Sequence, residues 1–185
     1  MDSFLSKDEI EKIGFKSVGK NVKISSKASI YSPAEIQIGN NVRIDDFCIL
    51  SGKILLGSFI HIAAYSALYG SAKGITIDDY VNISSRVCIY AISDDYSGES
   101  MTNPMVPDEF KQLISEPVHI KKHVIIGSTS VVMPGVVLEE GGCFGAFSFI
   151  NKNTQSWGKY VGIPVKRIGE RSKKLLEYEK LVEEE

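Results

Sequence analysis

Apolar residues recur every six positions along most of this chain, and few folds obey so strict a rule. The runs are Ile24, Ile30, Ile36; then Ile38, Ile44, Leu50, Leu56, Ile62, Leu68; then Ile77, Ile83, Ile89. After a break the pattern resumes as Ile120, Ile126, Val132, Leu138, Phe144 and Ile150. A small or branched residue stands two positions earlier at Val42, Cys48, Ile54, Ile60, Val81, Val87, Val118, Val124 and Val136. Residues i and i−2 of a strand point to one face. A helix needs spacings of three and four, so each hexad reads as a short strand followed by a corner. Gly39, Gly57, Gly127 and Gly145 directly follow a key apolar residue, where a turn or a close backbone approach favours a residue without Cβ.

Three such strands close a triangular coil of 18 residues, and stacked coils bury an apolar column that no single coil could bury alone. Coils open at Ile38, Leu56, Ile77, Ile120 and Leu138, with a partial coil over 22–36. The expected fold is therefore all-β, a parallel β-helix. A β-sandwich would show looser alternation and spacings of roughly 8–12 residues. We expect a single domain over 1–185. A helix and lead-in occupy 5–20, the β-helix 21–168, an interrupting loop 93–117 and a C-terminal helix 169–185. Ser6-Lys7-Asp8-Glu9 fits a capping box for the first helix. Leu175, Leu176, Tyr178, Leu181 and Val182 among alternating charges fit a surface helix packed on the coils or on a neighbouring subunit.

Composition narrows the function. The net charge of −2 with 43% hydrophobic and 24% charged residues is that of an ordinary globular protein. It gives no support for nucleic-acid or anionic-membrane binding as the main task. The segment MDSFLSKDEIEK is not a signal peptide, and no apolar run is long enough to span a bilayer. Cys48, Cys88 and Cys143 lack paired spacing, which fits free thiols in a cytoplasmic protein.

The stretches KHVIIGSTSVVMPGVVLEEGGCFGAFSFINK and GKYVGIPVKRIG are the most distinctive in the chain. With the hexads, they resemble the hexapeptide-repeat acyltransferases from about residue 12 to 171, and bacterial sugar O-acetyltransferases most of all. The resemblance implies a left-handed β-helix, a homotrimer, and direct acetyl transfer from acetyl-CoA to a sugar hydroxyl, with no metal. An amino group on a nucleotide-linked sugar is the alternative acceptor. The same resemblance implies that Ser128 and Ala146, which follow the apolar-Gly pair of successive coils, line the pantetheine arm. Asn151 and Lys152 lie near the next corner, and Lys166 and Arg167 would meet the nucleotide phosphates by charge-assisted hydrogen bonds. The family usually carries Trp where this chain has Ile125.

The break between Tyr90 and Val118 is where a rigid scaffold would place catalytic groups. The resembling enzymes open this loop with a T-H-x or T-H-D-Y run whose histidine takes the acceptor's proton. Here the run reads SDDYS, and Asp94 stands at the histidine's position. An ordinary Asp titrates near 4 and is a poor base at neutral pH. Asp94 is thus the base itself, tuned by Asp95; or His61, one coil earlier, is the base; or Asp94 binds the ammonium of an amino sugar and accepts its proton. Asn82, Ser84, Ser85, Asp95 and Tyr96 are candidates for sugar binding, with Phe110 offering a ring face.

Two other classes share the fold pattern. A zinc enzyme of the γ-carbonic-anhydrase type would need His61, His119 and His123 to converge with an open fourth position. A non-catalytic β-helix would explain the repeat but not the loop or the GIPVKR ending. Neither Cys88 nor Cys143 has an adjacent activating partner for thiol catalysis.

Overall fold

The computed structural model describes residues 3–183. They form a parallel β-solenoid of about seven turns with two short helices, the β-helix that the hexads imply. The first helix, Lys7–Ile13, is capped by Ser6, whose backbone N–H and hydroxyl both donate to Glu9 Oε2. The second, Leu175–Glu183, begins later than expected. Residues 166–170 instead form the strand Lys166–Glu170, antiparallel to Gly158–Val161. The reversal follows Gly162, whose φ of +105° suits only glycine, and the cis bond Ile163–Pro164. Residues 184 and 185 of the expected C-terminal segment lie outside the described residues. No helix among the described residues is long and apolar enough to cross a membrane.

Three ladders make the walls of a prism. The first face stacks Ile36–Ile38 on Ile54–Leu56, Ile75–Ile77, Val118–Ile120 and Val137–Leu138. The second stacks Val42–Ile44, Ile60–Ile62, Asn82–Ile83, Ile125–Ile126, Cys143–Phe144 and Gly158–Val161. The third runs from Ser29–Tyr31 through residues 49–51, 67–69, Cys88–Tyr90 and Val131–Val132 to Phe149–Ile150. Every hexad residue is buried except Ile30, which lies in the first coil and has a neighbour on one side only. The residues two positions earlier are buried as well, Cys48 included, so the interior is a two-residue-wide apolar column.

Coil spacing explains the glycines. A Cβ on Gly57 would lie 2.5 Å from Asp79 Oδ1, and one on Gly127 would lie 2.5 Å from the Ala146 nitrogen. Neither glycine has a positive φ; what each supplies is room for the next coil. Corners use left-handed residues that are not glycine, and their side chains stack outside the prism. Phe59, Tyr80, His123 and Trp157 all have φ near +60° and form one ladder, with ring centroids 4.7, 5.2 and 6.2 Å apart. The C-terminal helix docks on this ladder through Glu179, which bonds His123 Nε2 at 2.9 Å and pairs with Lys122.

Candidate active site

The interrupting segment is a β-hairpin rather than an irregular loop. Strand Cys88–Tyr90 of the third face continues through Ile92–Asp94, which pairs antiparallel with Leu113–Ser115. Tyr90, Ile92 and Asp94 alternate along this extended chain and so share one side. The hairpin therefore prolongs the third face beyond the edge of the prism. It is anchored where Glu116 N–H donates to the Ala91 carbonyl and Ser71 Oγ meets Ser115 Oγ at 3.1 Å.

Two cavities meet at Asp94. One, of about 530 Å³, is lined by Tyr69, Tyr90, Asp94, Asn103, Lys111 and Leu113 among others. The second, of about 610 Å³, uses Tyr90, Asp94, Tyr96, Val131, Met133 and Phe149. Asp94 is half-buried, and its carboxylate accepts no hydrogen bond and forms no ion pair among the described residues. Its neighbour differs. Asp95 accepts from Ser97 Oγ at 2.7 Å, Ser97 N–H at 2.9 Å and Ser100 Oγ at 2.9 Å. Those bonds, the Ser97 hydroxyl first, hold its carboxyl below the usual range. Asp95 closes the turn, and Asp94 is left with free acceptor capacity. Tyr69 and Tyr90 stack at 5.1 Å, and burial, with Cys88 and Tyr69 beside it, pushes the Tyr90 phenol up to about 12. Tyr90 is thus a neutral wall at working pH.

The second cavity points along the third face toward the C-terminal coils. Met133 and Asn151 follow Val131 and Phe149 by two residues each, on rungs that pair in register. Beyond them a cavity of about 380 Å³ gathers Lys152, Lys166 and Arg167 with Thr154 and Gln155. Lys152 meets the adjacent pair Lys166 and Arg167, distant from it in sequence, because Gly158–Val161 and Lys166–Glu170 form a hairpin over the last coil. Arg167 holds Glu170 at 3.0 Å, an exposed and replaceable partner. Asn151 is exposed and lines neither cavity.

Ser128 and Ala146 lie at the corner between the second and third faces, stacked with Ser85. Thr129 N–H donates to the Ser85 carbonyl, and Phe147 N–H to that of Ser128. Ser84 lies beside Gly127 on the second face, two residues beyond Asn82. His61 precedes Asn82 in the same outward column. Its Nε2 is 2.8 Å from Asp45 Oδ2, and its Nδ1 is 3.3 Å from Asn82 Oδ1. Both ring nitrogens are therefore engaged, and His61, Asn82, Ser84 and Ser85 line neither cavity at Asp94. Tyr96 lines the second cavity; Phe110 lines neither.

The histidines do not converge. His61 pairs with Asp45, His119 with Asp78 and His123 with Glu179, each on a different part of the prism. Among the thiols, Cys48 is pushed up to about 11 by burial, which suits packing and not nucleophilic work. Tyr69, Tyr90, Lys111, Met133 and Phe149 are site-lining residues that hexad reasoning did not single out. Apart from Lys111, which lies inside the hairpin, their outward positions alternate with the apolar hexad, a signal readable only once the third face is assigned.

No protein-family model matches the chain. It is 52% identical over 180 residues to a dTDP-4-amino-4,6-dideoxy-D-glucose acyltransferase of Escherichia coli, spanning 96% of this chain and 93% of that one. Crystal structures of AntD, an N-acyltransferase from Bacillus cereus, superpose with a TM-score of 0.98 at 52% identity, covering all of this chain and 98–99% of theirs. They hold dTDP with coenzyme A or with 3-hydroxybutyryl-CoA, and others hold dTDP-4-amino-4,6-dideoxyglucose. The AntD variants crystallised include D94A, D94N, S84A, S84T and S84C, positions whose residue types and numbers coincide with Asp94 and Ser84 here. A hexapeptide-repeat acetyltransferase of Vibrio cholerae with bound acetyl-CoA shares the fold, with a TM-score of 0.60 at 19% identity over 90% of this chain and 80% of its own. The chain belongs to the hexapeptide-repeat acyltransferases.

Proposed function

We propose that this protein transfers an acyl group from an acyl-CoA to the amino group of a dTDP-linked 4-amino-4,6-dideoxyhexose. The observation that carries this reading is the unpartnered Asp94 carboxylate where two cavities meet. An anionic acceptor of hydrogen bonds suits an ammonium or amine better than a hydroxyl, which must lose a far less acidic proton. The 52% identity to enzymes named for that amino sugar supports the same choice over O-acetylation of a surface or small saccharide.

Asp94 holds the acceptor's amine by charge-assisted hydrogen bonds and aims its lone pair at the thioester carbonyl. The N–C bond forms, a tetrahedral intermediate collapses, and the C–S bond breaks. The ammonium gives up one proton to solvent before attack, the attacking nitrogen passes a second to the departing sulfur, and amide and CoA thiol leave. The donor lies along the third face, with Lys152, Lys166 and Arg167 meeting its phosphates and the Ser128–Ala146 corner beside its pantetheine arm. Asn151, between Met133 and Lys152, has a place on that path.

In one chain Ser84 lies on the second face and Asp94 on the hairpin beyond the third. A site using both, with Asn82, Ser85 and His61 beside Ser84, is assembled from two copies, as in a homotrimer with three interfacial sites. In that arrangement His61, tied to Asp45, orients Asn82 rather than acting as base.

The test is an acceptor screen of purified protein that reads thiol release. A dTDP-4-amino-4,6-dideoxyhexose should turn over with acetyl-CoA or 3-hydroxybutyryl-CoA, and its 4-hydroxy counterpart should not. Comparable turnover of the hydroxyl sugar overturns the N-acyl reading.

A further inference from the structure

We propose that Lys111 reads the diphosphate of the acceptor, so that the hairpin itself, and not only the prism, selects a nucleotide-linked sugar. This rests on the proposed acceptor class and assigns it a residue.

Residues 93–117 contain six carboxylate side chains and one cation, Lys111. So acidic a segment repels a diphosphate, and a ligand entering there needs at least one fixed positive charge. Lys111 is also out of place for a surface lysine. Its side chain is 9% exposed, its stem packs within the hairpin, and it lines the same cavity as Asp94. Cations are seldom so covered unless paired, and the pair here is one-sided: Asp108, its ion-pair partner at 2.8 Å, is 98% exposed.

The strand register gives the spacing. Asp94 pairs directly with Leu113, so Lys111, two residues earlier, is the diagonal neighbour on the same side. Diagonal Cα separations in an antiparallel pair are about 7–8 Å. That is of the order of the span from a ring amine, across a pyranose, to the phosphorus on the anomeric oxygen. An acceptor whose amine meets Asp94 therefore brings its diphosphate to Lys111, with the stacked Tyr69 and Tyr90 rings and Leu113 as the wall between. Asn103, also in the cavity, has its side-chain oxygen committed to Met105 N–H and offers its amide as a further donor. Asp108 occupies the place of the phosphate on Lys111 and swings into solvent when the ligand arrives.

The stand-in role sets a test by sign. Titration calorimetry of the full-length protein with dTDP, and separately with CoA, should show Lys111→Met weakening dTDP by about 10–100-fold. CoA should be bound within twofold of wild type, which also checks that the variant is folded. Lys111→Arg should recover most of the dTDP affinity. Asp108→Asn, which removes the competing carboxylate, should tighten dTDP several-fold. A merely structural pair predicts the opposite, with Lys111→Met and Asp108→Asn weakening dTDP alike, and that result overturns the proposal. Unchanged dTDP affinity in Lys111→Met overturns it too and leaves the proposed acceptor standing. A wild-type protein that binds CoA but no dTDP overturns both.

Discussion

Asp94→Asn separates the two things a carboxylate at this position can do. The substitution keeps the shape, and because the Asp94 carboxylate accepts nothing from the described residues, no fold-stabilising bond among them is lost. The melting temperature should stay within about 2 °C, as for substitutions within about ±0.5 kcal/mol. What changes is the bond that Asp94 is proposed to make to the acceptor. Hydrogen bonds to charged groups contribute about 1.5–3 kcal/mol and neutral ones about 0.5–1.5. The loss is then about 1–1.5 kcal/mol, or roughly tenfold in acceptor KM. The KM for acyl-CoA should barely move, since the cations proposed to meet its phosphates, Lys152, Lys166 and Arg167, line a separate cavity that Asp94 does not reach. Steady-state thiol release at saturating donor, with acceptor varied, reads the KM directly. We expect kcat to fall less than tenfold. A kcat loss of 10²–10⁴-fold with unchanged acceptor KM, the signature of a lost general base, would refute amine binding as the role of Asp94. Unchanged kcat and unchanged KM would remove Asp94 from the site altogether.

Three more outcomes follow from the same geometry. Replacing both Lys166 and Arg167 with Ala should raise the KM for acyl-CoA about tenfold or more and that for the dephospho-CoA thioester far less; equal losses would show that the pair does not read the phosphate. Gly127→Ala drives a Cβ against the Ala146 nitrogen and, at 2.7 Å, the Gly145 carbonyl carbon, so only backbone movement relieves it. Overpacking of about 1–3 kcal/mol at about 2–4 °C per kcal/mol lowers the melting midpoint by about 2–12 °C, and an unchanged midpoint contradicts the coil contact. For Glu179, burial raises the carboxyl, but bonds from Lys122 and His123 more than offset it, and the net shift is downward. Its contribution to docking the C-terminal helix is then full above the ordinary Glu value and lost as pH falls through the lower folded one. Trp157, at the end of the stacked ladder, reports undocking by fluorescence, and Glu179→Gln should differ from wild type at pH 7 but not at the lowest pH.

Legibility in the sequence tracked periodicity. The hexads give the coils because inward positions answer to one physical demand, burial in a shared column, and burial has a fixed spacing. The cluster of Lys152 with Lys166 and Arg167 was half legible. The GIPVKR segment marks the pair, but Lys152 joins them only through the reversal at Gly162 and Pro164. That reversal is also why the expected helix from 169 begins at Leu175, since the strand Lys166–Glu170 takes up the intervening residues in a ladder. The hairpin was legible as an interruption and opaque inside. Asp94 and Asp95 are identical in type, and only the turn at Ser97 and Ser100 decides which one is spent on the backbone. His61 looked available because outward position is periodic, but its partner Asp45 lies 16 residues away, on the preceding coil.

The exchange of an expected histidine for Asp94 also constrains the acceptor. An imidazole removes a proton from a hydroxyl because its ordinary pKa, near 6.5, lets it cycle at neutral pH; a carboxylate near 4 does that poorly. An amine needs no such help, since its free base attacks a thioester without losing a proton first. Its demand on the site is a counter-charge that holds the nitrogen while the neighbouring groups place the carbonyl. On the proposed reading Asp94, with no partner among the described residues and a cavity on either side, supplies the counter-charge and leaves the placing to proximity. Asp94→His should then cost acceptor affinity for an amino sugar, because a largely neutral imidazole supplies no counter-charge, while favouring any residual turnover of the 4-hydroxy sugar. An Asp94→His enzyme that acylates the amino sugar with wild-type KM would break the link drawn here between the loop's acid and its amine.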